Sequence, residues 1–129
     1  MTLFICYSAF SQSEKEIATD KIKTETEMIS DDKSGIETYH KESYTAYDQN
    51  GNTVEEIQYN DDGSVKEHIK YTYNSSNLKT EETEYDSAGK LTKKIVYTYD
   101  AKGNKVSKIV TDGAGKSKQK KKYVYTYYE

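Results

Sequence analysis

The chain has 129 residues, enough for one domain, and it is strongly polar, with 33% hydrophobic and 32% charged residues and a mean hydropathy of −1.03. Three Leu, two Phe and no Trp cannot fill the core of a helical bundle, whereas 14 Tyr suit a pleated, half-buried surface. Residues 1–89 contain 8 Lys against 19 Asp or Glu, and residues 90–129 contain 11 Lys against 3, so we expect acidic and basic strands to pair. Because recognition of phosphates and bases usually relies on Arg and the chain has none, we expect no nucleic-acid partner.

A short apolar run, LFICYSAF, opens the chain at residues 3–10. Ala9 and Ser11 are small residues at positions −3 and −1 of a cut before Gln12, which is typical of the end of a secretory signal peptide. The pattern predicts a signal-peptide-like segment over 1–11, with a buried first strand as the alternative, and the run is shorter than the roughly 20 residues that span a membrane. We therefore expect a secreted chain (periplasmic, cell-surface or extracellular) that does not span a membrane and loses its one Cys, Cys6, on cleavage.

Residues 12–44 are predicted to form a degenerate N-terminal repeat. KIKTETEMIS (21–30) alternates like a strand, DDKSG (31–35) is typical of a turn, and IETYHKESYTAY (36–47) predicts the next strand. The spacing of the turns is irregular here, as expected of a terminal repeat. A helix over residues 13–29 is the alternative.

A repeated corner organises residues 45–129. Its pattern is Y-[DN]-x-x-[GN], with Thr111 in place of Tyr in the sixth corner. Successive corners are alternately 12 and 14 residues apart, which gives a 26-residue period. The last residues of the six corners are Gly51, Gly63, Asn77, Gly89, Gly103 and Gly115. The runs between them are rich in β-branched and aromatic residues and show no helical spacing.

Turn chemistry explains the corner. Asp or Asn at its start can accept hydrogen bonds from backbone groups ahead of it, and Gly or Asn at its end supports a positive φ. The pattern therefore predicts four-residue β-turns that reverse the chain each time. The predicted fold class is all-β: an antiparallel β-meander of hairpin repeats with seven or eight strands, which curls as an open sheet or roll or stacks on another copy.

Four-residue loops also predict a register in which Tyr73 lies opposite Leu78. Lys70, Glu81 and Lys94 then form one row across three strands, with opposite charges facing each other. The same register gathers most large apolar side chains on one face and most Lys, Glu and Thr on the other. The predicted apolar face comprises Tyr47, Val54, Val65, Ile69, Tyr71, Tyr73, Leu78, Leu91, Ile95, Tyr97, Tyr99, Val106, Val110, Tyr123, Tyr125 and Tyr127.

The corners over residues 45–127, such as YTYDAKGNK (97–105) and YDSAGKLTKKIV (85–96), resemble YD repeats, the tyrosine–aspartate repeats of Rhs-type shells. They are most similar to short secreted YD-like repeat proteins of Bacteroidetes type, and more weakly similar to MORN-type repeats. The resemblance implies β-hairpin repeats at or outside the cell surface, sometimes in contact with carbohydrate, and no catalytic residue. The chain departs from the Rhs pattern because it is too short to form an enclosing shell.

The Y-x-Y pairs are the candidate binding surface, because tyrosine is amphipathic and common at binding sites. Both members of a pair share strand parity, so all six side chains are predicted on one face, either as a buried core or as a surface for carbohydrate. We expect a buried core, since other large apolar side chains are scarce. The six residues are Tyr71, Tyr73, Tyr97, Tyr99, Tyr123 and Tyr125.

A run of lysines near the C terminus is the candidate basic edge. It is interpreted as a solvated terminal strand, or as an edge that binds a polyanion or a protein partner. The residues are Lys116, Lys118, Lys120, Lys121 and Lys122.

Candidate catalytic groups are sparse. His40 and His68 are predicted to be surface residues, with His68 near Glu55 and Thr83, and no Ser, His and acid form a recognisable triad. DQNGN (48–52) is similar to the start of a calcium loop, but hairpin corners account for it. We expect no enzyme activity, metal or cofactor.

The leading functional prediction is a secreted, non-enzymatic structural or binding repeat module that contacts carbohydrate or a protein, with self-association through a sheet edge or the apolar face. The alternative is a small accessory or immunity-like protein that binds a protein partner through its basic C-terminal edge strand.

Overall fold

A computed structural model describes residues 21–30 and 35–129, which form one antiparallel eight-stranded sheet and, over these ranges, no helix. The strands follow chain order, each paired with the next, so the predicted meander is confirmed. No helix of the described residues is long and apolar enough to cross a membrane. The strands are β1 (Thr24–Ser30), β2 (Tyr39–Tyr47), β3 (Thr53–Tyr59), β4 (Val65–Tyr73), β5 (Lys79–Tyr85), β6 (Leu91–Tyr99), β7 (Lys105–Asp112) and β8 (Ser117–Lys122).

The strands coincide with the runs between the predicted corners. TVEEIQY is β3 from its first residue to its last, and the alternation in residues 21–30 forms β1. The strand predicted within residues 21–30 is therefore confirmed, and its alternative, a helix over 13–29, is wrong for residues 24–29. The predicted signal-peptide-like segment 1–11 and most of the turn predicted at 31–35 lie outside the described residues.

The corner at Asp100 shows how each turn is built. The Gly103 N–H donates to the Asp100 carbonyl and the Asp100 N–H donates to the Asn104 carbonyl. The result is a three-residue loop, 101–103, whose last residue is left-handed. The Asp100 carboxylate also accepts the N–H groups of Lys102 and Asn104, both at 2.9 Å. Positive φ is confirmed at all six corners, from 59° at Asn77 to 84° at Gly103.

The loop has three residues rather than the predicted four, which shifts the strand register by one residue. A bulge in the following strand shifts the register by one more. Tyr73 lies opposite Lys79 rather than Leu78, and Thr72 lies opposite Glu81, so Thr80 is an extra residue in β5. Register thus shifts by two residues in the body of the strands, where Lys70 lies opposite Thr83.

The predicted row of Lys70, Glu81 and Lys94 is therefore wrong, because Glu81 lies opposite Val96 and Lys94 lies opposite Thr83. A shift of two residues preserves the alternation of side chains, so the strand interiors keep their predicted faces. Ile69, Tyr71, Ile95, Tyr97 and Val110 share one face, which we call the tyrosine face.

Between each turn and its bulge the register differs from the prediction by one residue rather than two, so some side chains there change face. Leu91 lies opposite Tyr85, whose ring centroid is 5.2 Å from that of His68. Val65 lies opposite Tyr59. Leu91 and Val65 therefore belong to the face of His68 rather than to the tyrosine face, contrary to the prediction.

The sheet is a single layer, and the predicted buried tyrosine core is wrong for the isolated chain. Among the described residues Ile95, 4% exposed, is the one buried hydrophobic side chain. Tyr71, Tyr73, Tyr97 and Tyr99 are half-buried. Both faces are partly shielded by long Lys, Glu and Tyr side chains, which cover apolar surface with their stems and keep their polar ends in water.

Candidate functional site

The structure brings the candidate tyrosines together in two rows that cross the sheet. Tyr71 and Tyr73 end β4, and Tyr97 and Tyr99 end β6 two strands away on the same face. Tyr123 follows β8 and donates its N–H to the Val106 carbonyl, so this part of the pattern continues beside β7. The predicted common face of the Y-x-Y pairs is thereby confirmed for β4 and β6.

The second tyrosine of each pair is anchored to the neighbouring strand. The Tyr73 hydroxyl donates to the Thr53 carbonyl at 2.7 Å, and the Tyr99 hydroxyl donates to the Lys79 carbonyl. The Tyr125 hydroxyl donates to the Lys105 carbonyl at 2.6 Å. The donors and acceptors both advance by 26 residues, so one contact recurs in every repeat and fixes the direction of each ring.

The first tyrosine of each pair lies among charged groups. The Tyr71 hydroxyl donates to the Glu56 carboxylate at 2.5 Å, and the Lys79 Nζ lies 4.1 Å from the centroid of the Tyr71 ring. Burial and this hydrogen bond raise the pKa of Tyr71 well above its usual value. Tyr71 therefore remains a neutral hydroxyl donor throughout the physiological range.

Tyr97 occupies the corresponding position on β6, with a more basic surrounding. The Lys105 Nζ lies 4.5 Å from the centroid of its ring and the Lys108 Nζ lies 6.0 Å from it, both within the range of cation–π attraction. Tyr97, Lys108 and Lys121 lie directly opposite one another across β6, β7 and β8. Within the described ranges Lys105, Lys108 and Lys121 make no ion pair.

Exposure rises along the rows towards the C terminus. Tyr123 is half-buried, whereas Tyr125 is 43% exposed and Tyr127 is 60% exposed. The Lys102 Nζ lies 4.7 Å from the centroid of the Tyr127 ring. The most accessible aromatic surface is thus next to β8, in the basic part of the sheet.

The candidate basic edge is distributed over a turn and both faces of β8. Lys116 lies in the turn, Lys121 shares the tyrosine face, and Lys120 and Lys122 lie on the opposite face. All six residues of β8 are exposed. Lys118 is the member with an ion pair, 3.4 Å from Asp112.

The two histidines lie apart from the tyrosine rows. The His68 Nε2 lies 2.7 Å from the Glu55 carboxylate, as predicted, and Lys70 approaches the same carboxylate at 3.8 Å. His40 lies 3.8 Å from Asp61. Among the residues that the structure describes, no three His, Cys, Asp or Glu side chains converge as a metal site.

A shallow groove of about 1000 Å³ lies over β1–β4, at the other end of the sheet from the basic edge. Its walls are mostly polar, with Glu25, Glu27 and Glu56 among them, and none of the six candidate tyrosines lines it. Burial and Glu25 raise the pKa of Tyr47, which borders this groove, to about 12. The groove is thus an acidic surface separate from the tyrosine and lysine rows.

Sequence reasoning missed the contacts between neighbouring turns and the hydroxyl anchors. The Asn52 side-chain N–H donates to the Asn77 side-chain oxygen at 2.9 Å, which joins two turns at the same end of the sheet. A constant offset of 20 residues between Tyr73 and Thr53, repeated at 26-residue intervals, could have indicated the anchors. The 26-residue period was therefore the feature of the sequence from which these anchors could have been predicted.

No protein-family model and no curated protein matches this chain.

Proposed function

We propose that this chain is a secreted, non-enzymatic binding module that holds an extended acidic polysaccharide across the tyrosine face. The observation that carries the proposal is the row formed by Tyr97, Lys108 and Lys121, in which an aromatic ring is flanked by cations that make no ion pair within the described ranges. Sugars stack on aromatic rings through their C–H groups, and lysines attract carboxylates. A sugar acid satisfies both requirements.

The repeat also provides a suitable spacing. Tyr97 on β6 and Tyr123, which follows β8, lie two strands apart, a separation of roughly 9.5 Å from the strand spacing. This is comparable with one disaccharide of an extended polysaccharide, so a linear chain crossing the strands would present the same group to successive tyrosines. The hydroxyl anchors of Tyr73 and Tyr99 pre-organise the rows and reduce the entropy lost on binding.

The resemblance of residues 45–127 to YD repeats supports the same proposal, since it implies an extracellular repeat module without a catalytic residue. The apolar run at 3–10 supports secretion.

Binding to an acidic oligosaccharide tests the proposal, with oligogalacturonate as the probe and a neutral galactan oligomer as its counterpart. We expect calorimetry to detect the acidic probe, and Lys108→Ala and Tyr97→Ala to weaken binding at least about tenfold, the equivalent of about 1.4 kcal/mol. Tyr85→Ala, on the opposite face, is the matched control and should bind like the unmodified chain. Equal binding by Tyr97→Ala and Tyr85→Ala, or no binding of either sugar, would contradict the proposal.

A second candidate function is an accessory protein that binds an acidic protein through β8. The observation in its favour is that all six residues of this lysine-rich strand are exposed. Such a complex should form at low salt and dissociate at high salt, because exposed charges are screened. Capture of one partner that survives high salt unchanged would argue against an electrostatic edge contact.

A further inference from the structure

The two edge strands of the sheet carry opposite charges, and we propose that copies of this chain associate head to tail, with β1 of one copy pairing with β8 of another. This inference goes beyond the proposed function and does not depend on it. The predicted contact at its centre is an ion pair between Glu27 of one copy and Lys121 of the next.

Chain topology allows the sheet to continue in the same direction. Of the described strands, β1 and β8 each have one neighbour, and the other six have two. Because eight consecutive strands alternate in direction, β1 and β8 run oppositely. A second copy displaced along the sheet therefore places its β1 antiparallel to β8, the arrangement of every internal pair.

Backbone groups of β8 are positioned for this pairing. The Tyr123 N–H donates to Val106 on the β7 side, and Lys121 lies opposite Lys108 two residues earlier. In an antiparallel ladder the intervening residues direct their N–H groups the other way. Lys120 and Lys122 therefore direct their backbone donors and acceptors away from β7, and no described strand lies on that side.

Charge selects which edges can meet. β1 contains Glu25 and Glu27 and no basic residue, whereas β8 contains four lysines and no acidic residue. Two β1 strands or two β8 strands would repel each other, since like charges placed across a strand pair are unfavourable. A β1 strand beside a β8 strand is the one combination of edges in which the charges are complementary.

The same charge pairing already occurs inside the sheet. Acidic β5 pairs with basic β6, where Glu84 and Lys93 lie 2.7 Å apart and Glu81 and Lys94 lie 2.9 Å apart. Glu81 is opposite Val96, so its partner Lys94 is two residues along the same face. Diagonal neighbours of this kind are within reach of long side chains.

The repeat predicts the register of the new pair. Glu27 lies opposite Ser43, and Glu56 lies opposite Ile69. Because Ser43 and Ile69 are one 26-residue period apart, Glu27 in β1 has the same position in the repeat as Glu56 in β3. One period after Glu56 is Glu82, which lies opposite Tyr71.

Tyr123 is two periods after Tyr71, so the continued sheet places Glu27 of the next copy opposite Tyr123. Lys121 is then the diagonal neighbour of Glu27, in the same relation that Lys94 has to Glu81 within the sheet.

Exposed apolar surface is concentrated at the same two ends. Every large hydrophobic side chain found exposed among the described residues lies within 28–39 or 124–128, and none lies in β3–β7. These residues are Met28, Ile29, Ile36, Tyr39, Val124, Tyr125, Tyr127 and Tyr128. Neighbouring repeats cover the interior of the sheet, whereas each of its two ends has a described repeat on one side only.

Sedimentation velocity of the full chain at low salt tests the proposal. We expect association that grows with concentration and continues beyond a dimer, because a head-to-tail contact leaves an edge free at each end. Glu27→Lys and Lys121→Glu should each weaken association at least about tenfold, since each places like charges together. An equimolar mixture of the two variants should restore it, because every contact then joins opposite charges.

Lys90→Glu, in a turn away from both edges, is the matched charge control and should associate like the unmodified chain. Lys120→Pro should block association while keeping the β-sheet circular dichroism signal, because it removes an N–H that β7 does not use. A chain that stays monomeric at high concentration, a species that stops at the dimer, or a variant mixture that fails to recover association would each overturn the proposal.

Discussion

Glu81 lies opposite Val96 across β5 and β6, yet its carboxylate pairs with Lys94, two residues further along the same face, at 2.9 Å. Lys70, which four-residue loops would have placed beside Glu81, pairs instead with Glu55 at 3.8 Å. The cause is that each turn has a three-residue loop rather than a four-residue one, together with the bulge at Thr80. Long side chains can bridge the diagonal, so the ion pair forms even though the residues are not opposite each other.

A double-mutant cycle distinguishes the two registers. Glu81→Gln and Lys94→Met, measured singly and together by urea unfolding, should show a coupling of about 0.2–1 kcal/mol, the usual range for exposed pairs. The cycle of Glu81→Gln with Lys70→Met is the control and should show no coupling outside error. Coupling in both cycles would restore the four-residue register, because that register places Lys70 and Lys94 on either side of Glu81.

The hydroxyl anchor of Tyr73 should contribute measurably to stability. Tyr73→Phe removes the donor to the Thr53 carbonyl, and we expect a loss of about 0.5–1.5 kcal/mol in the free energy of unfolding. Tyr59→Phe is the matched control, since the Tyr59 hydroxyl makes no hydrogen bond within the described ranges. Similar losses in the two variants would show that the anchor is not the cause.

Gly113 should be required by close packing rather than by its φ. A Cβ placed there would lie 2.0 Å from the Leu91 carbonyl oxygen, a backbone atom that cannot move aside cheaply. Gly113→Ala should therefore cost about 1–3 kcal/mol, as overpacking usually does. Ser87→Ala, at the corresponding position of the preceding turn at that end, should be nearly neutral, and thermal melts of both variants check the contrast.

Acid should weaken the turns through their aspartates. The backbone N–H of Asn104 lowers the pKa of Asp100, and that of Lys116 lowers the pKa of Asp112. An aspartate whose pKa is lowered by folding stabilises the protein at pH values above its unfolded-state pKa, which is about 4. This stabilisation is lost as the pH falls through the pKa of the folded state.

We therefore expect the melting temperature to fall below about pH 4, and to fall less steeply in the variant Asp100→Asn, which keeps the acceptor without the titration. Asn74→Asp is the converse variant and should steepen the acid limb. Melts across this pH range check both slopes, and parallel curves for all three proteins would contradict the assignment.

Truncation of Ile95 should cost more than truncation of Tyr97. Ile95 is 4% exposed, so Ile95→Ala should lose about 2–5 kcal/mol, a large part of the 5–15 kcal/mol that holds a typical domain. Tyr97 is half-buried in a single layer, and Tyr97→Ala should lose about 1–3 kcal/mol, less than a fully buried aromatic. Denaturant unfolding ranks the two, and a larger loss at Tyr97 would indicate that its face is covered in solution.

The local geometry of this protein is encoded in short stretches of its sequence. An Asp or Asn at the start of a corner and a Gly or Asn at its end specify a tight reversal, because only those side chains accept the turn's N–H groups or tolerate positive φ. Asn77 and Gly103 were therefore predictable, and so was the meander that six reversals impose. Strand bounds such as those of β3 followed from the residues between the corners.

Pairing across strands was decided by the tertiary structure. The same corner sequence is compatible with a three-residue loop and with a four-residue loop. Whether Thr80 becomes the additional residue of a β-bulge depends on the twist that β4 and β5 adopt together. The sequence likewise could not show that the tyrosines stay half-buried, because burial depends on whether a second layer covers the face. Hydrogen bonds within a turn act over four residues and are visible in the sequence, whereas register and burial depend on residues that only the folded sheet brings together.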